Sequence, residues 1–293
     1  MNSVSYVIIT PARNEGFHLQ KTIDSVAAQT VRPQKWIIVD DGSKDDTRLL
    51  AQAAARRYDW IGVVQRIDRG RREAGGGVIA TFYDGYKLVA NHPWQYIVKL
   101  DGDLSFGPTY FQECLEQFQK DPQLGIGGGT CCLEINGKAE NEFPEDPGYH
   151  VRGPTKIYRR ECWMDIGGLI QAPGWDGVDE IKANMHGWRT CGFKGITLIH
   201  HRPTGAAYGI WTDAVKAGLA NYITGYHPVF MLCKCARRLC HKPYGIGSLA
   251  LWTGFMKGYW RRIPQVADKE MIRYVRRQQW RALTFRSSLW STQ

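Results

Sequence analysis

Acidic residues nearly vanish from the last third of this 293-residue chain: residues 205–293 hold three Asp and Glu against 14 Lys and Arg. The preceding 204 residues carry 24 basic and 25 acidic side chains, so the net charge of +10 belongs to the tail. An unbroken apolar run of about 20 residues, the length a membrane-spanning helix requires, is also missing. Residues 217–236 and 244–260 are apolar but interrupted by Gly225, His227-Pro228, Lys234 and Gly254, and a plain transmembrane helix is not expected. Met1 to Thr10 shows no basic n-region, no apolar h-region and no small-residue cleavage site, so no secretory leader is expected and a cytoplasmic location is. Eight cysteines at irregular positions argue for reduced thiols rather than a disulfide framework. Cys233, Cys235, Cys240 and His241 lack the matching second pair of a zinc site. Neither Gly75–Gly77 nor Gly125–Gly129 has the G-x-G-x-x-G spacing between a first strand and its helix, which sets dinucleotide binding aside. No recognised nucleic-acid module is present, and no nucleic-acid partner is expected.

What is present suffices for a folded enzyme-sized core, with 43% hydrophobic and 12% aromatic residues. Ser5 to Ile9 reads as a buried strand, Glu15 to Gln29 as a helix with Leu19, Ile23 and Val26 on one face, and Trp36 to Val39 as a second strand. Asp45 to Tyr58 reads as a helix capped by Asp45 or Asp46, Gly62 to Gln65 as a strand, Val78 to Ala90 as a helix, and Tyr96 to Leu100 as a fourth strand. Strand-then-helix repetition predicts an α/β fold: a mainly parallel sheet with flanking helices. Beyond it the pattern loosens through Gly125–Gly129 and a Pro-rich loop at Phe143–Pro154. An acidic cluster, Asp176-Gly177-Val178-Asp179-Glu180, then opens a short helix to His186, and Ile196 to Ile199 is a last strand closed by His200-His201-Arg202.

Ligands of such sheets bind outside the carboxyl ends of the strands. Three polar clusters sit there: Pro11-Ala12-Arg13-Asn14-Glu15, Asp40-Asp41-Gly42-Ser43 and Asp101-Gly102-Asp103. Asp-Gly at a strand end is also a common turn, but two such acidic clusters converging in one crevice call for a cation. Paired aspartates one residue apart suit Mg2+ or Mn2+ bridging to phosphates.

Residues 4–204 resemble the family-2 glycosyltransferases, whose nucleotide-sugar-binding fold is of the type called GT-A. The resemblance rests on Ile8-Ile9-Thr10-Pro11-Ala12-Arg13-Asn14-Glu15, on Val39-Asp40-Asp41-Gly42-Ser43-Lys44-Asp45-Asp46-Thr47, on Asp101-Gly102-Asp103 and on the later acidic cluster. It implies that the Thr10, Pro11 and Ala12 backbone and Asp41 hold the base and ribose, with Arg13 and Glu15 nearby. Asp103, and Asp101 through ribose or water, would hold Mg2+ or Mn2+ on the diphosphate, with Gly102 against the nucleotide sugar and His201 completing the metal shell or touching a phosphate. Arg202 would neutralise the diphosphate, as would Arg71 or Arg72 in the Gly-rich Arg69–Gly77 stretch. A general base in the acidic pair would give inversion at the sugar carbon. Asp179 is the first choice, with Glu180 and Asp176 as alternatives, because the pair here runs Asp-Glu rather than Glu-Asp.

The tail, residues 205–293, holds five of the eleven tryptophans and interleaves them with Arg237-Arg238, Arg261-Arg262 and Arg276-Arg277. That composition suits helices lying in an anionic membrane interface; a basic helical subdomain or an oligomer contact is the plainer alternative. The expected protein is thus an inverting glycosyltransferase at the inner face of the cell membrane. Its donor would be a nucleotide-diphosphate sugar, UDP-sugar favoured, and its acceptor a hydroxyl, lipid-linked if membrane-delivered, in polysaccharide or glycolipid assembly. The rival is a non-catalytic sugar-nucleotide or polysaccharide-binding scaffold of the same fold.

Overall fold

The computed structural model describes residues 4–70, 75–203, 209–239 and 245–290. Strands β1 (Tyr6–Ala12), β2 (Lys35–Asp40), β3 (Ile61–Gln65) and β4 (Tyr96–Leu100) alternate with helices α1 (Leu19–Ala27), α2 (Thr47–Arg57) and α3 (Gly76–Val89). There follow β5 (Leu104–Phe106), α4 (Tyr110–Lys120), β6 (Leu124–Ile135), β7 (Lys138–Asn141), β8 (Thr155–Arg159), α5 (Arg160–Ile166), α6 (Trp175–Met185) and β9 (Arg189–His200). Four helices close the chain: α7 (Ile210–Ile223), α8 (Pro228–Arg238), α9 (Ile246–Trp260) and α10 (Lys269–Leu283).

The strands form one sheet in the order β3-β2-β1-β4-β8-β6-β9-β5, with β7 paired to β6. β1 to β4 are parallel, as the repeating pattern predicts. The other half corrects the expectation of a mainly parallel sheet: β8 runs against both β4 and β6, and β5 runs against β9. The sheet is mixed because β8 is fed by the Phe143–Pro154 loop from the opposite end, with no crossover helix to reverse it.

β6 explains why the pattern seems to loosen. Its glycines are imposed by close approach rather than by turning: a Cβ on Gly128 would lie 2.6 Å from the Thr155 carbonyl oxygen, and one on Gly129 2.6 Å from that of Ile196. Glycine is a poor strand former on its own, so a central strand there carries the composition of a loop.

The first strands are buried on both faces, and their alternate residues feed two cores. Tyr6, Ile8, Trp36, Ile38 and Val98 pack with α1, α2 and α4. Val7, Ile9, Ile37, Val39 and Ile97 pack with α3, α5 and α6. Helices therefore cover both sides and leave the strand ends to solvent.

The C-terminal helices are not one separate appendage. Tyr222, Ile223, Met231, Cys235, Leu251 and Phe255 make a core among α7, α8 and α9, whereas Met271, Val275 and Leu289 pack on Val178 and Ile181 of α6. The expected boundary at 204/205 lies outside the described residues. No described helix is long and apolar enough to cross a membrane.

α7 and α9 meet backbone to backbone, since a Cβ on Gly254 would lie 1.9 Å from the Val215 carbonyl oxygen and one on Gly218 1.9 Å from that of Leu251. Gly254→Ala should therefore force the helices apart and destabilise the fold by about 2 kcal/mol, measured as a lower urea midpoint with little change in slope.

Candidate active site

Short polar contacts lock the loops after β1 and β2 together. The Asn14 amide donates to Ser43 Oγ (3.0 Å), Glu15 N to Thr47 Oγ1 (2.7 Å) and Gly16 N to Asp45 Oδ2 (2.8 Å), while Asn14 Oδ1 accepts from Lys44 N (2.9 Å). Asp45 also accepts from Thr47 N at 3.1 Å, so of the two capping candidates it is Asp45 whose side chain bonds at the start of α2. Thr10 is buried and its hydroxyl accepts from Trp36 Nε1, while the Ala12 carbonyl accepts from Asp41 N. Asp41 is buried among arginines: Arg66 lies 2.8 Å from Oδ1 and Arg69 2.5 Å from Oδ2, and Arg13 donates to its carbonyl. Arg13 also pairs with Asp68 at 2.6 Å. Beside them opens a cavity of about 430 Å3 lined by Gly42, Ser43, Gln65, Arg66, Ile67 and Asp68, a volume in the range of small-ligand clefts.

Asp103 is buried at the start of β5, where its Oδ2 accepts from Arg202 at 3.0 and 3.2 Å. The same guanidinium donates to Glu15, so Arg202 ties the β1 loop to the Asp-Gly-Asp turn. Gly102 completes that junction, a Cβ there lying 3.4 Å from Glu15 Cγ. Asp101 accepts from Lys99 Nζ at 2.5 Å. Burial raises the Asp101 carboxyl above its ordinary range, with Lys99 opposing and Asp103 adding to the shift.

The paired histidines separate. His201 bonds Ser105 Oγ at 2.9 Å and stacks on His18 with ring centres 5.5 Å apart; burial, Lys21 and His18 lower its pKa. His200 is the one that faces Asp103, at 3.8 Å, and it bonds Glu142 at 2.9 Å. Burial opposes charge on His200, but Glu142 and Asp103 outweigh it and raise the pKa.

Among the described residues no three Asp, Glu, His or Cys form a closed cage for an ion. Mg2+ and Mn2+ commonly take one or two carboxylates plus phosphate oxygens and water, and Asp103 with Asp101 is a donor set of that kind. Arg72, and with it Arg71, lies outside the described residues, as do Cys240 and His241.

The acidic cluster resolves in an order the sequence does not suggest. Asp179 is fully buried: both its oxygens lie 2.9 Å from Lys156 Nζ, Tyr158 OH donates to it at 2.6 Å, and the Glu180 amide donates at 2.7 Å. Burial pushes its carboxyl up to about 6 against the pull of Lys156. Glu180 is buried too and accepts from Lys156 (3.0 Å) and Val151 N (2.8 Å), with His150 Nδ1 at 2.9 Å. Burial would raise its pKa, but Lys156 and His150 together hold it below the usual range. Both carboxylates are thus taken up by partners inside the protein. Asp176 remains. It is half-buried in the first turn of α6, and among the described residues its carboxylate enters no ion pair or side-chain hydrogen bond. Its Oδ2 would lie 3.6 Å from a Cβ on Gly153, the residue whose carbonyl accepts from Lys99.

Residues 7–132 match the model of a known family, glycosyl transferase family 2. The chain carries a family-2 glycosyltransferase domain. Among curated relatives, the glucosyl-dolichyl phosphate glucuronosyltransferase of Haloferax volcanii is 20% identical over 198 residues, covering 62% of this chain and 60% of the relative. A poly-beta-1,6-N-acetyl-D-glucosamine synthase of Staphylococcus epidermidis is 26% identical over 117 residues, 40% of this chain and 26% of that protein. The chain thus spans well under two thirds of the length of these relatives. Among solved structures, the mannosyltransferase PcManGT of Pyrobaculum calidifontis, in complex with GDP-Man and Mn2+, superposes with a TM-score of 0.57 at 15% identity over 88% of this chain and 87% of that one. The S. aureus TarS fragment in complex with UDP gives 0.52 at 14% identity, covering 88% and 72%. At such identities the likeness shows a shared glycosyltransferase fold.

Sequence reasoning missed four cations that pair with the acids of these loops and of α6: Arg66, Arg69, Lys99 and Lys156. Lys99 left a trace, since it stands inside an otherwise apolar strand, where a cation needs a buried acid.

His150 gives a pH test. Its pKa is raised because Glu180 outweighs burial, so its stabilising contribution is full below about 6.5, the unfolded value, and fades as pH rises through the folded value. His150→Gln should cost more stability at pH 5.5 than at pH 8.5, as read by urea unfolding at both.

Proposed function

We propose that this chain is an inverting glycosyltransferase that moves a sugar from a metal-bound nucleotide-diphosphate sugar to a hydroxyl acceptor, in the assembly of a cell-surface polysaccharide or glycolipid. One observation carries the reading. Asp176, whose carboxylate enters no ion pair or side-chain hydrogen bond among the described residues, lies beside Gly153, and Lys99 links the Gly153 carbonyl to Asp101, which supports a base close to the Asp-Gly-Asp turn.

In this reading Asp176 takes the proton from the acceptor hydroxyl as its oxygen bonds the anomeric carbon and the bond to the diphosphate breaks. Attack opposite the leaving group inverts the centre. A divalent cation held by Asp103, with Asp101 at its edge, supplies neutralisation of the diphosphate charge. Arg202 keeps Glu15 and Asp103 together and adds positive charge on the same side. The cavity beside Asp41, lined by Gly42, Ser43 and Arg66, takes the nucleoside, with Thr10-Pro11-Ala12 and Arg13 on the neighbouring strand end. A UDP-sugar is the first donor to test and a GDP-sugar the second, since the two solved neighbours hold UDP and GDP-Man.

The acceptor is read as lipid-linked, delivered at the inner face of the cell membrane. Two features support this: the name of the H. volcanii relative contains a dolichyl phosphate, and the tail leaves Leu232, Ile246, Leu249 and Trp260 exposed on α8 and α9, Trp260 by 87%. Arg237, Arg238, Arg261 and Arg262 lie on or next to these helices and suit anionic headgroups. The division follows as a catalytic domain, 1–204, and a membrane-facing extension, 205–293.

A thermal-shift panel of UDP, GDP, dTDP and CDP, with and without Mn2+ or Mg2+, should show one diphosphate raising the midpoint only with metal, an effect that Asp103→Ala removes. Asp176→Asn should keep that shift while nucleotide release from the matching sugar nucleotide falls between about 100-fold and 10,000-fold; full turnover in this variant would overturn Asp176 as the base, and a parent protein that binds the diphosphate but turns over no sugar nucleotide would favour the binding scaffold. Co-sedimentation with vesicles should rise with the fraction of anionic lipid and fall in Leu249→Ser/Trp260→Ser.

A further inference from the structure

Lys99 and Lys156 are direct register partners across the β4–β8 ladder, and both side chains are buried. Two ammonium groups side by side in a sheet interior are costly to desolvate, and an apolar pair would build the same ladder more cheaply. Each instead grips a different wall of the crevice. Lys99 Nζ holds Asp101 Oδ1 at 2.5 Å and the Gly153 carbonyl at 2.7 Å. Lys156 Nζ holds the backbone carbonyl of Asp176 at 2.5 Å, besides Asp179 and Glu180. Between them stands Trp175, its ring 5.2 Å from Lys99 Nζ and 5.6 Å from Lys156 Nζ. The edge of that ring lies 3.2 Å from where a Gly153 Cβ would be.

We propose that Lys99 and Lys156 are positioning residues that, with Trp175 as the spacer between them, set the separation of Asp101 from Asp176. The inference rests on the reading of Asp176 as the base. Backbone hydrogen bonds fix the ladder register, so the two lysine stems leave the sheet at a fixed distance. Each ammonium then transfers that distance to one wall: Lys99 to the Asp-Gly-Asp turn, Lys156 to the first turn of α6. A displacement of about 1 Å in such a constellation costs on the order of 100-fold in rate, which gives a reason for keeping two buried cations where leucines would pack.

Asp179 supplies the means of testing this, because it pairs with Lys156 without touching the crevice. Lys156→Met, the double variant Lys156→Met/Asp179→Asn, and Asp176→Asn are compared with the parent by urea unfolding and by release of UDP or GDP from UDP-glucose or GDP-mannose with Mn2+, water serving as acceptor. The single lysine variant should be destabilised, and the double variant should regain part of the parental midpoint, because Asp179 no longer carries a charge while Glu180 keeps His150 and the Val151 amide. Its kcat should nevertheless stay between about 10-fold and 100-fold down, with KM within about twofold of the parent. A double variant that recovers kcat together with stability overturns the inference and leaves Lys156 a fold element only. If Asp176→Asn turns over like the parent, the base assignment itself falls. If Asp176→Asn is inactive while the double variant is active, only the lysine inference falls. Should the double variant not fold, Trp175→Phe applies the same test with a shorter spacer: kcat should fall at constant KM, and parental kcat overturns the proposal.

Discussion

The ammonium group of Lys156, with no access to water, joins the sheet to α6, and the geometry of the crevice depends on it. It lies on an antiparallel strand inserted beside the last parallel one, and it gathers two carboxylates and a peptide carbonyl from one helical turn. Such a buried cluster does little for net stability, because the cost of desolvation is close to the Coulombic return. What it does is exclude alternatives: any sliding of α6 along the sheet strips partners from a charge that cannot be hydrated. The helix is held in one place because every other place is worse.

The same economy runs through the rest of the site. Asp41 is met by Arg66, Arg69 and Arg13, Asp103 and Glu15 by Arg202, and Asp101 by Lys99. Acids that organise the crevice are thus matched by cations from neighbouring strand ends, and Asp176 stands apart from that scheme. A carboxylate with a fixed cationic partner is a poor proton acceptor, since the partner stabilises its charged form.

Legibility in the sequence followed how local each constraint is. β1 to β4 and their polar ends can be read because a β-branched run and the residues that stop it are neighbours in the chain. β6 cannot, because its glycines answer to Thr155 and Ile196, which are remote in sequence, and nothing near them reads as a strand. The internal partners of Asp179 and Glu180 are hidden for the same reason. Asp176, Asp179 and Glu180 belong to adjacent turns of one helix, and only Lys156 and Tyr158, two strand residues some way upstream, decide which are consumed inside the protein.

The shared core of α6 and α10 carries a consequence for how the protein is made. Val178 and Ile181 emerge from the ribosome well before Met271, Val275 and Leu289, the residues that cover them. Until α10 has been made, the helix bearing Asp176 has an uncovered apolar side, however complete the sheet beneath it. The nascent chain therefore completes its sheet early and covers α6 late, so that a chain stalled or clipped before α10 would be left with an apolar flank of that helix exposed.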